Sequence, residues 1–133
     1  MEEAITSLLL GSPAVATIAG DRVNWSARPD DFELPALTLH RVSGRRDRTL
    51  EGRTGLVSST VQIDCWGLSF KDAKLLSRAV VPALPHGRTV AAGTVLEGIF
   101  IESESDTVDR TDPQQPLFHT RIDISVWHQE ANT

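Results

Sequence analysis

The alternation between Val57 and Cys65 constrains this chain more than any other feature. Val57, Val61, Ile63 and Cys65 fall on one side of an extended segment, and Ser58, Thr60, Gln62 and Asp64 on the other. A period of two over that length specifies a half-buried β-strand and fixes which side faces a core. The same period recurs in Leu37 and Leu39 against Thr38 and His40, continuing to Val42. Two later runs repeat it: Val95 to Glu104, with Ile99 and Ile101 on one face, and Phe118 to His128, with Ile122, Ile124 and Val126 on one face. Four strands in two hairpins are expected.

Helical spacing fills the rest. Ile5, Leu8 and Leu9 form one apolar stripe behind the early acids Glu2 and Glu3, and Gly11 ends it. Ser12 and Pro13 read as cap and first position of a second short helix through Ile18, closed by Gly20. At Ser69 the period changes to 3.6, with Ser69 and Asp72 placed as a capping-box-like start and Ala73, Leu76, Ala79 and Val80 as the buried stripe. Pro82 and Pro85 are expected to stop this helix. Asp21 to Pro35 reads as a surface connection with Trp25 and Phe32 tucked onto the core, and His86 to Gly93 as a turn-rich connection. The order predicts an α+β domain: a mainly antiparallel four-stranded sheet with helices packed on one face. At 133 residues, the whole chain 1–133 is expected to be one domain.

Composition excludes several function classes. A single cysteine, Cys65, rules out an internal disulfide and multi-cysteine metal sites, and its place beside Val61 and Ile63 marks it as a core residue. The net charge of -5 is wrong for a protein that coats nucleic acid. No apolar run approaches the roughly 20 residues of a membrane span, and Glu2 and Glu3 stand where an export signal would carry positive charge. The expectation is therefore no membrane partner and no export by that route. Phosphate-loop, GxGxxG, GxSxG and HExxH patterns are absent. His40, His86, His119 and His128 show no metal-ligand spacing, and the acids from Glu102 to Asp112 lack the order of a calcium loop. No catalytic residue, metal or cofactor is expected.

Charge is distributed unevenly. Ser43 to Gly55 holds three glycines and four arginines in thirteen residues, which predicts a hairpin with a long, mobile, charged tip. From Arg41 to Gly55, Arg41, Arg45, Arg46, Arg48 and Arg53 against Asp47 and Glu51 leave +3, and these arginines are the candidate interface residues. Arginine favours bidentate contacts with carboxylate or phosphate. The stretch from Glu97 to Asp112 carries six acids against Arg110, a local -5, and Ser105 to Pro116 reads as an acidic connection between the last two strands. Opposite patches on one small domain suit head-to-tail association, which closes into rings.

Several phrases of the sequence are shared with a known group. Glu2-Glu3-Ala4-Ile5 with Leu8-Leu9-Leu10, Gly20-Asp21-Arg22-Val23, Leu34-Pro35-Ala36-Leu37-Thr38, Asp47-Arg48-Thr49-Leu50-Glu51-Gly52, Val61-Gln62-Ile63-Asp64-Cys65-Trp66 and Val126-Trp127-His128 resemble the tail-completion, or tail-terminator, proteins of long-tailed phages and gene transfer agents. The resemblance implies a non-enzymatic structural protein of the virion, located at the neck between tail and head and assembled in the bacterial host cytoplasm. It implies a homo-hexameric ring on the last disc of the tail-tube protein, with a head-side connector or stopper protein as the further partner. DNA would pass through the ring without specific binding, so channel-facing carboxylates are expected, with Glu102, Glu104 and Asp106 as candidates. Other readings are a head-side neck connector or stopper, a small enzyme, or a nucleic-acid-binding module. An enzyme would need a deep polar pocket with perturbed titrating groups. Against nucleic-acid binding, Ser43 to Gly55 contains no aromatic residue.

Overall fold

The computed structural model describes residues 1–25, 34–49, 52–110, 114 and 116–129, with the backbone alone for 45–49 and 52–55. Helices α1 (Glu2–Leu10) and α2 (Pro13–Ala19) lead into strand β1 (Val23–Trp25). Strands β2 (Ala36–Thr49) and β3 (Gly52–Gly67) precede helix α3 (Phe70–Ala83), and β4 (Thr89–Ala91), β5 (Thr94–Asp109) and β6 (Leu117–Gln129) complete the chain.

The sheet has six strands in the order β1-β2-β3-β6-β5-β4 and curls into a half-barrel. β1 runs parallel to β2 and the other pairs are antiparallel, so the sheet is mixed. This corrects the four-stranded antiparallel sheet expected from sequence. The four long alternating runs are its centre, and a three-residue strand is added at each edge. Val23–Trp25 lay inside the segment read as a surface connection, and Thr89–Ala91 inside the turn-rich one. Three residues are too few to display a period. β4 turns into β5 through Ala92 and Gly93 at φ 48 and 78, the two positive values that a type I′ hairpin turn requires.

Side chains of paired residues lie on the same face of a sheet, so register assigns each face. Leu37, Leu39, Val61, Ile63, Cys65, Ile122, Ile124 and Val126 share the face on which the helices pack, and all are fully buried. Ile5, Leu9, Val15, Leu76 and Val80 meet them from the helices. Truncating one of these, Ile63 for instance, to alanine costs about 2–5 kcal/mol. Ser12 caps α2 by accepting from the Val15 amide, and Ser69 caps α3 by accepting from the Asp72 amide at 3.1 Å. α3 runs through Pro82 to Ala83 and ends before Pro85, so of the two prolines expected to stop it Pro82 lies inside the helix. Gly67 ends β3 hard against α3: a Cβ there would stand 2.7 Å from the Ala73 nitrogen. Trp25 is held from α1, its indole donating to Thr6 Oγ1 at 2.8 Å. Phe32 lies outside the described residues.

Candidate interaction surfaces

The charged segments are strands. β2 and β3 remain paired out to Thr49 opposite Gly52, so most of Ser43 to Gly55 is a two-stranded ribbon projecting past the core. Glycine and arginine do not read as strand formers, yet the ladder continues because each strand supplies the other's hydrogen-bond partners. Arg45, Arg46 and Arg48 stand on β2 opposite Ser58, Val57 and Arg53. Arg41 is exposed at the base of this ribbon, its guanidinium folded toward Gly44. The acidic segment is likewise extended: β5 runs to Asp109, and residues 100–108 are all exposed. Asp112 lies outside the described residues.

The acidic candidates do not share a face. Glu104 pairs with Ile122 and Asp106 with Thr120, which places both on the helix side of the sheet. Asp106 is engaged there: Lys74 Nζ of α3 lies 3.0 Å from each of its carboxylate oxygens, and Thr120 Oγ1 donates to Oδ1 at 2.8 Å. The Lys74 hydrogen bond, aided by Thr120, holds the Asp106 carboxyl below its ordinary value. Glu104 borders a hollow lined by Lys74 and Arg78. Glu102, at a register shift between Ile101 and Ser103, instead accepts from Ser125 Oγ at 2.7 Å on the helix-free face. An irregularity of this kind re-aims side chains, and sequence alternation gives no sign of it.

The helix-free face is polar and rich in hydroxyls. Ser58, Thr60 and Gln62 of β3 align with Trp127, Ser125 and Asp123 of β6, and Ser103 with Asp123 on β5. Ser103 Oγ donates to Asp123 Oδ2 at 2.8 Å. One end carries a tight cluster that the sequence did not announce. Asp64, only 4% exposed, accepts from Arg121 Nε at 3.1 Å, with His119 Nε2 at 3.8 Å. Trp66 stacks tilted on His119 with centroids 4.4 Å apart and donates its indole N–H to Thr38 Oγ1 at 2.8 Å. Burial holds the His119 imidazole below its ordinary value, although the Asp64 charge pulls the other way. The other end is apolar: exposed Phe100 and Trp127, with Leu56 and Gly98, border a shallow hollow of about 570 Å³.

The remaining histidines and the cysteine are dispersed. His128 faces the core side and hydrogen-bonds Ser59 at 3.0 Å. Cys65 is fully buried, and desolvation together with Asp64 pushes its thiol far above the ordinary range, so it is no nucleophile at neutral pH. Among the described residues no group of three or more His, Cys, Asp or Glu is placed to hold a metal ion, and no helix is long and apolar enough to cross a membrane.

Comparison with known proteins gives one family. The model of the tail completion protein gp17 family matches residues 3–129. Among solved structures, a chain of the virion of a native gene transfer agent particle superposes with a TM-score of 0.71 at 15% identity, covering 95% of this chain and 92% of that one. That likeness is one of fold. No curated protein sequence matches the chain.

Proposed function

The chain belongs to the tail completion protein gp17 family and is a structural protein of the tail; from that premise we propose that six copies close head to tail into a ring on the last tail-tube disc. The ring stops tube growth and presents the surface that a head-side connector or stopper protein joins. The observation that carries this reading is the placement of two oppositely charged, extended segments on two different strands of one small domain, β2 and β5. Contacts between unlike surfaces of identical copies form closed rings when the rotation closes. Charge there sets register and partner choice. Particle formation takes place in the bacterial host cytoplasm and leaves the protein at the neck of the virion.

In this reading Arg41, Arg45, Arg46, Arg48 and Arg53 contact carboxylates of a neighbouring copy or of the tube protein, and the helix-free face lines the DNA channel over the core, short of the ribbon on which Arg45 stands opposite Ser58. A channel that neutralised many phosphates would bind the genome and stall it. The hydroxyl-rich face with Glu102 and Asp123 suits passage, since Arg121 already serves Asp64. Glu104 and Asp106, on the helix side, do not line the channel in this arrangement. Removing the protein from an otherwise complete particle system tests the reading: tails of uncontrolled length and DNA-filled heads without tails are expected. Tails of normal length joined to heads in its absence would contradict it.

A further inference from the structure

Both long outer strands of the central sheet are covered over only part of their length. β1 pairs with β2 at Leu37, Thr38 and Leu39, and among the described residues nothing pairs with the outer edge of β2 over 40–49. β4 pairs with β5 at Thr94, Val95 and Leu96, and the outer edge of β5 over 97–109 is likewise uncovered. Exposed edges of this length are templates for pairing with another chain. At about 3.3 Å per residue they span roughly 30 Å and roughly 40 Å respectively.

We propose that these two edges pair with each other between neighbouring copies, so that β2 of one copy and β5 of the next continue one sheet around the ring. Three observations carry this, and the inference rests on the ring reading above. The edges differ in sign: 40–49 carries Arg41, Arg45, Arg46 and Arg48 with Asp47, whereas 97–109 carries Glu97, Glu102, Glu104, Asp106 and Asp109 and no basic residue. Charges that only guard an edge against aggregation need not differ in sign between the two edges of one sheet. Direction agrees as well. β2 is antiparallel to β3, β3 to β6 and β6 to β5, so β2 and β5 run oppositely. Copies related by rotation about an axis along the strands therefore bring them together antiparallel.

The third observation is register. Both strands carry irregularities, at Arg41/Ser43 and Arg46/Arg48 on β2 and at Ile101/Ser103 on β5, and the antiparallel alignment that sets Arg46 opposite Glu104 brings Asp47 to Ser103, Arg48 to the irregularity at Glu102 and Arg41 near Asp109. Shifting it by one residue in either direction sets Asp47 against an acid, Glu104 or Glu102, and like charges directly opposite are destabilising. Arg41 is level with Ile101 within one copy, through Val61 and Ile124. The uncovered parts of β2 and β5 thus lie toward diagonally opposite corners of the sheet. Matching them staggers each copy along the strands, the tilt and shear that closing a sheet demands.

The test uses full-length protein in assembled tails and as free single copies. Amide exchange over 40–49 and 97–109 is expected to slow at least tenfold on assembly. A basic-edge reversal (Arg41→Glu, Arg46→Glu, Arg48→Glu) and an acidic-edge reversal (Glu102→Lys, Glu104→Lys, Asp109→Lys) should each fail to assemble alone. Mixed, they should form rings of strictly alternating variants, because each then offers an edge complementary to the other's. Unchanged exchange at these edges in six-copy rings would overturn the shared sheet while leaving the ring itself standing. A single reversal that assembles normally, or folded variants that do not assemble when mixed, would overturn it too. A wild-type copy number other than six removes the ring reading and this inference with it.

Discussion

Asp64 and Arg121 stand directly opposite each other on β3 and β6, joined at 3.1 Å on the face that carries no helix. The carboxylate is almost wholly buried there, so this partner, with His119 beside it, stands in for the water it has lost. Arg121→Met is expected to destabilise the fold by about 1–3 kcal/mol, less than the ~3–5 kcal/mol of a fully buried pair because Arg121 is 39% exposed. Urea unfolding measures it, and adding Asp64→Asn to that variant should recover part of the loss. Equal stability of the Arg121→Met variant and the wild type would show that water replaces the pair.

His119 makes stability depend on pH. Its folded-state value is depressed, so the unfolded chain takes up the proton first as pH falls below about 6.5. The stabilising contribution is complete above that value and is lost as pH drops through the window toward the folded-state value. Denaturant midpoints recorded between pH 7 and 5 should fall in the wild type, and less steeply in His119→Gln. Parallel slopes would remove His119 as the cause.

Gly67→Ala should destabilise by about 1–3 kcal/mol, since the new methyl group overlaps the Ala73 nitrogen and the Asp72 Cβ, 2.8 Å away, and α3 must shift. Gly87→Ala is the control, because nothing lies within 4 Å of its Cβ position. Thermal unfolding of both variants checks the contrast.

Replacing Arg45, Arg46 and Arg48 together with alanine should leave the melting temperature of the free protein nearly unchanged and impair tail-to-head joining. Single exposed pairs contribute only about 0–1 kcal/mol, so the effect comes from repetition around the ring. Particle yield and the far-ultraviolet dichroism of the free variant measure the two halves of this expectation.

The parts of the fold that were legible in the sequence are those with enough residues to show a period. Val61, Ile63 and Cys65 announce the core face of β3, and Ser69 with Asp72 announces the start of α3. β1 and β4 were not legible, because a three-residue strand is defined by what it lies against. The same reason hid the Thr38, Asp64, Trp66, His119 and Arg121 cluster, whose members come from three strands and meet only through register. Alternation did place Asp64 on the polar face; it could not show that Arg121 would bury it. Glu102, Glu104 and Asp106 looked equivalent as alternate acids on one strand, until the irregularity after Ile101 turned Glu102 to the opposite face from the other two.

If DNA passes through a ring lined by the hydroxyl-bearing face, the isolated protein should show no tight binding to duplex DNA at physiological salt. Tight binding, with affinity falling steeply as salt rises, would mean that the arginines face phosphate.

The most direct test of the account is the mass of this protein's complex in purified tails. Six copies per tail end is the result the ring predicts. Twelve, or any other number, would contradict it.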